Sequence, residues 1–228
     1  MELATFKKHL LLHRFMASCF VFTVLAAQAA AQDTTAYTRQ IKFTPIKMID
    51  LINPGIEFTY EQKISKRFAL QGGAAYLHDF LGLNTYLQYN GIRLLAEGKY
   101  LIPVLHNFSF YTGADLTYNY SAAKDKGTFE RPSPGYQRNT YEDTFMVLKN
   151  TMSLNLKAGF MIYYHHFVAD FAMGLGVKYR DARITGRQHP DDRLYRVGPD
   201  INIRTLSERA GASCVFNMPM TIRLGYCF

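Results

Sequence analysis

The feature that most constrains this chain is a hydrophobic period of two, repeated in segment after segment from residue 55 to the C-terminus. In 55–64, Ile56, Phe58 and Tyr60 alternate with Glu57, Thr59 and Glu61; in 91–101, Ile92, Leu94, Ala96 and Tyr100 alternate with Arg93, Glu97 and Lys99. The stretches 67–77, 107–120, 151–164, 167–180 and 220–228 behave the same way, with charge and glycine on one phase and aliphatic or aromatic residues on the other. Successive side chains of a strand point to opposite faces, so each stretch is a strand with one apolar and one polar face.

Two architectures use such strands. A soluble sandwich turns the apolar face inward, whereas an outer-membrane barrel turns it to lipid and keeps the polar face in its lumen. A helical membrane protein is excluded after the first thirty residues, because no later segment offers the roughly 18 consecutive apolar residues that such a span needs. Three features favour the barrel. Tyrosines stand near strand ends, where an interfacial girdle wants a ring with a polar tip, and the chain holds 16 Tyr and 17 Phe with no Trp. Acids and bases share the polar phase at mid-strand, as in a packed lumen. The last strand ends on aromatic residues, Tyr226 and Phe228, in the manner of a signal read by the outer-membrane assembly machinery.

Connection lengths supply the strand count. Short links (64–66, 102–106, 165–166) alternate with long ones (78–90, 121–150, 181–211), the pattern of periplasmic turns and external loops. Keeping both ends of the mature chain in the periplasm requires a first strand over 39–48, with a tight link through Asn53, Pro54 and Gly55. It also requires 212–228 to be one strand, and not a hairpin broken at Asn217, Met218 and Pro219. The expectation is an all-β fold, an eight-stranded antiparallel transmembrane β-barrel in up-and-down meander order. Pro219 is its weak point, since proline cannot donate to a ladder; a bulge or a later strand start would absorb it.

The first residues fit export. Lys7, Lys8 and Arg14 precede an apolar run over 15–27 and the small residues Ala27, Ala29, Ala30 and Ala31, which is the order of a secretory signal peptide cleaved before Gln32. The run is too short for a spanning helix. A lipidated Cys19 is disfavoured because most of the apolar run follows it. Residues 1–31 are therefore expected to be the signal peptide and 32–228 the barrel. The mature chain would carry 23 basic and 17 acidic residues. An exported basic protein meets acidic headgroups and lipopolysaccharide phosphates before it meets nucleic acid. Of the two cysteines left, Cys214 is expected to face lipid and Cys227 the lumen, so a disulfide between them is not expected.

The stretches around Lys42-Phe43-Thr44-Pro45, Asn53-Pro54-Gly55-Ile56-Glu57, 174–180 and 219–228 resemble small outer-membrane barrel proteins of Bacteroidetes, a group largely of unknown function. The likeness implies fold and location, and brings no catalytic residues. Cys227 departs from the basic residue usual at that place.

On the assigned phase, Lys42, Arg93, Lys99, Lys157, Lys178 and Arg223 share the lumen with Glu57, Glu61, Glu97, Asp115 and Asp170. An eight-stranded barrel is just wide enough to fill with side chains, so these charges form either a self-neutralising network or a narrow ion path or ligand cup. No cofactor is implied. His165-His166 and His189-Pro190-Asp191-Asp192 are weak metal candidates, explained equally well by turns. An enzyme at the lipid rim would need a nucleophile and a base, for which His78-Asp79 and Ser121 are the sole arrangement on offer. The long loops carry Lys124, Lys126, Arg131, Arg138, Lys149, Arg183, Arg187, Arg193, Arg196 and Arg204 among Phe129, Tyr136 and Tyr141. They suit contact with lipopolysaccharide or an external partner, or else pair with their own acids, such as Glu130, Glu142, Asp143 and Asp192. The leading expectation is a non-enzymatic envelope protein with a filled lumen. A narrow channel comes second and a rim enzyme third.

Overall fold

A computed structural model describes residues 37–50, 52–82, 87–105, 107–131, 139–186, 189, 192–197 and 210–228. The signal-peptide segment lies outside them, as do Arg138, Tyr136, Arg187 and Arg204. The described residues form an all-β, closed, eight-stranded antiparallel barrel. Its strands are β1 (Arg39–Phe43), β2 (Gly55–Lys63), β3 (Phe68–His78), β4 (Gln88–Leu105), β5 (Phe108–Arg131), β6 (Asn139–Tyr164) and β7 (Phe167–Thr185). A short β8 (Arg193–Val197) lies off this ring and pairs with the far end of β5, and β9 (Gly211–Asn217) with β10 (Met220–Cys227) completes the barrel. From β1 to β7 each strand pairs with the next in sequence, β7 pairs with both β9 and β10, and β10 closes the ring on β1.

β9 and β10 are one strand in two pieces. Asn217 faces Gly176 and Met220 faces Met173, so the register against β7 does not slip across Met218 and Pro219. Of the two expected ways past Pro219 there is no bulge, and β10 starts anew at Met220: Pro219 still accepts a bond from the Gly174 amide at 2.9 Å and merely fails to return one. Gly174 makes this possible. A Cβ there would stand 3.2 Å from the Pro219 ring and 2.7 Å from the Leu156 carbonyl oxygen.

Two expectations need correction. The first strand stops at Phe43 and not at Met48, because Pro45 opens a single 3-10 turn, Pro45–Ile49, that leaves the ladder and packs against β2 and β10. The connection expected over 121–150 is largely strand: β5 and β6 run on together to the pair Arg131 and Asn139. Alternation persists there, with Phe129, Phe145 and Val147 on the inward phase and buried. β4 ends at Gln88 opposite Lys124, and beyond that point β8 takes its place along β5, with Phe129 opposite Leu194. Phe129, Phe145, Val147, Ala182 and Leu194 form an apolar core in this extension.

The barrel is polar inside and apolar outside. Leu154, Leu156 and Met173, at 56%, 71% and 63% exposure, stand on the outer wall with Leu70, Leu94, Leu116, Leu175 and Val177. Outward rings bound this band at both ends. Phe68, Phe110, Tyr164, Phe167 and Tyr226 lie at the short-turn end, and Tyr76, Tyr118, Tyr120 and Tyr179 at the loop end. Tyr76 and Tyr118 each turn their hydroxyl to an asparagine, Asn90 and Asn150.

Candidate functional site: the charged lumen

The lumen is layered. At the short-turn end Leu101, Tyr111, Met161, Tyr163, Val168 and Cys227 form a buried apolar layer, against which Tyr37 packs. Above it lies the charge network. Lys42 Nζ and Lys99 Nζ both donate to Glu61 Oε2, at 2.8 and 2.7 Å, and both donate to Asp170 Oδ2 at 2.8 Å. The Tyr111 hydroxyl donates to the other Asp170 oxygen at 2.6 Å, and its ring lies 4.5 Å from Lys99 Nζ. Arg223 bridges Glu97 at 2.9 Å and Asp170 at 3.5 Å. Lys157 reaches Glu97 at 3.5 Å and also pairs with Asp115. Higher still, Arg93 holds Glu57 at 3.2 Å, Asn119 at 2.7 Å and the Asn53 carbonyl at 3.3 Å, while Thr44 donates to Glu57 at 2.8 Å.

Strand alternation explains why these side chains meet. Consecutive residues of one phase, such as Lys42 opposite Thr59 on β2 and Gly225 on β10, stack level by level, and the narrow bore then brings opposite walls within ion-pair distance. Five bases and five acids are joined in this way, so their charges cancel where no water would compensate them. Ten of the eleven residues expected in the lumen thus belong to the network. Lys178 does not: it is half-buried on the inward phase of β7 and makes no ion pair among the described residues.

Sequence reasoning missed Tyr111, Thr44, Asn119 and Asn155 as members. All four sit in the polar phase of strands already recognised, Thr44 two residues past Lys42, so their phase alone would have found them.

The other candidates do not assemble. His78 stands on the outer face, 3.0 Å from the Tyr89 carbonyl oxygen and stacked on Tyr76, whereas Ser121 is buried on the lumen face. The wall therefore separates the suggested base from the suggested nucleophile. His165 occupies a turn with a positive φ of 50°, and His166 stacks on Tyr226 and contacts the Cys227 carbonyl. Asp192 accepts bonds from Tyr141 at 2.7 Å and Arg131 at 3.4 Å, while His189 packs edge-on to the Tyr141 ring. Among the described residues no three His, Cys, Asp or Glu side chains converge as a metal site. Cys214 is exposed on the outer face and Cys227 is buried; both are free. The charges expected in the long loops pair in part among themselves, as Lys126 of β5 does with Glu142 of β6 at 2.6 Å. At the C-terminus Tyr226 and Phe228 face outward, and Phe228 exchanges backbone bonds with Arg39. No protein family, curated protein or solved structure matches the chain.

Proposed function

We propose that this chain is an outer-membrane β-barrel of a Gram-negative envelope, sealed by its own side chains and acting without catalysis in envelope structure or surface contact. The observation that carries the proposal is the inverted distribution of polarity around a closed ring. An apolar patch of this size facing water would drive aggregation, whereas facing lipid it needs no partner. On β6 the outward residues Met152 and Ile162 are ten positions apart, which at ~3.4 Å per residue and ~40° of tilt gives about 26 Å. That matches the height of the apolar band on barrels of this class.

The sealed-lumen part rests on the network around Asp170. Lys42, Lys99 and Arg223 are fully buried and cross the bore at one level, with an apolar layer below them. A conducting path would have to open both. The extension built by β5, β6, β7 and β8 supports surface contact, since it raises a packed scaffold above the band on one side of the mouth. Partners of this reading are outer-membrane lipid, lipopolysaccharide and the assembly machinery that would recognise Tyr226 and Phe228. Recording the purified protein in planar lipid bilayers tests it. No steady conductance is expected, and openings abolished by Glu97 or Arg223 substitution would favour a channel.

A further inference from the structure

The wall of this barrel is not hydrogen-bonded all the way up. β1 ends at Phe43, opposite Phe58 on one side and Leu224 on the other. Toward the loop end, Gly55–Glu57 of β2 and Met220–Arg223 of β10 have no strand between them among the described residues. β9, which continues β10 upward, is paired with β7 alone. The space between these two edges is occupied by the 3-10 turn Pro45–Ile49.

A cavity of about 390 Å³, within the range of small-molecule sites, lies behind that turn. Its lining combines residues that ordinarily belong to opposite sides of a barrel wall. Arg93 and Arg223 are buried lumen residues, whereas Ile49 of the turn and Met218 and Met220 of the outward phase are 56%, 65% and 48% exposed. The cavity lies where no strand joins β2 to β10 among the described residues, and its lining includes members of both sets.

The chemistry of the two ends differs. Its wall end is apolar, made by Ile46, Ile49, Met218 and Met220. Its lumen end has an excess of positive charge, with five basic side chains against three acidic. Lys47 is matched by Asp50, Arg93 by Glu57, Lys157 by Asp115 and Arg223 by Glu97, which leaves Lys178 without an ion pair among the described residues. Buried donors also remain there: the Thr221 hydroxyl and the Arg223 Nε group make no hydrogen bond among the described residues. Buried polar groups are costly unless satisfied, so these donors suit an acceptor of negative charge.

We infer that the opening between β2 and β10 admits a membrane amphiphile, whose anionic phosphate or carboxylate headgroup enters the cavity at Lys178 while its acyl chain stays against Ile49 and Met220. This rests on the membrane reading above, since the apolar end of the route opens where lipid would lie. The same headgroup chemistry could arrive as a free anion, and the test separates the two.

Native mass spectrometry of the detergent-purified protein would measure retention of phosphatidylglycerol, phosphatidylcholine and glycerol phosphate. Phosphatidylglycerol is expected to be retained about tenfold over phosphatidylcholine, the lower end of what one charge-assisted hydrogen bond contributes. Lys178→Gln, which breaks no ion pair, is expected to bring the two lipids to parity. Met220→Asp at the wall end is expected to weaken phosphatidylglycerol while glycerol phosphate stays weak. Equal retention of both lipids by the unaltered protein overturns the inference. Displacement of phosphatidylglycerol by an equal concentration of glycerol phosphate also overturns it, and assigns the cavity to a soluble anion. A protein that inserts into vesicles yet retains no phosphatidylglycerol defeats only this inference, whereas one that does not insert defeats the membrane reading as well.

Discussion

Asp170 gathers more partners than any other residue of the lumen: Lys42, Lys99, Arg223 and Tyr111 all converge on its carboxylate. Removing that one charge leaves three buried cations to share Glu61 and Glu97. Breaking a buried pair from one side costs ~3–5 kcal/mol, because the remaining charge stays unsolvated. Asp170→Asn is therefore expected to lower the unfolding free energy of the barrel, read from urea titration, by an amount in that range. Lys178→Gln, which removes an unpaired charge beside the cavity, is expected to change stability by no more than ~0.5 kcal/mol. Equal losses from both substitutions would contradict the network as described. At this scale the sequence was informative about side-chain direction, since a period of two assigns each residue a face. It was silent about partners. Glu61 meets Lys99 across 38 positions of sequence, and that meeting depends on bore and register, which alternation leaves open.

At the scale of single elements, Pro219 and its neighbour Gly174 carry the last strand past a residue that cannot donate. A methyl group at 174 would press on the Leu156 carbonyl, the Lys157 side chain and the proline ring, none of which is a free end. Gly174→Ala is expected to destabilise the barrel by ~1–3 kcal/mol in urea unfolding, and to recover part of that loss when combined with Pro219→Ala. The β8 segment is held differently. Asp192, just before it, is kept below the usual carboxylate range chiefly by the hydrogen bond from Tyr141, with Arg131 assisting. A carboxyl held low supplies its stabilisation fully above its ordinary range and loses it as pH falls through the lowered value. Amide exchange over Arg193–Val197, corrected for intrinsic rates, is thus expected to rise in acid, and Asp192→Asn is expected to raise it at neutral pH. Exchange that ignores both changes would mean that backbone pairing with β5 alone holds β8. Neither β8 nor the length of β5 and β6 was legible from sequence. Turn-forming and charged residues over 121–150 masked an alternation that continues through Phe129 and Phe145, and β8 pairs with a strand more than sixty positions away.

For the whole molecule, connection lengths alone led to eight strands, to a first strand beginning at Arg39 and to one final strand ending beside Phe228. All of these follow from a rule about the parity of crossings, and so survive ignorance of detail. The 3-10 turn escaped because it replaces strand by a local proline effect, and the opening in the wall escaped with it. A lumen crossed by charge clusters and an apolar layer predicts a barrel that neither conducts nor collapses. Its outward band predicts that the ring forms only where lipid or detergent receives those side chains. The most direct measurement is electrophoretic migration of unboiled against boiled protein after refolding with and without lipid vesicles. The account predicts a compact band of altered mobility in the unboiled sample refolded with vesicles, lost on boiling. Identical migration under all of these conditions would contradict it.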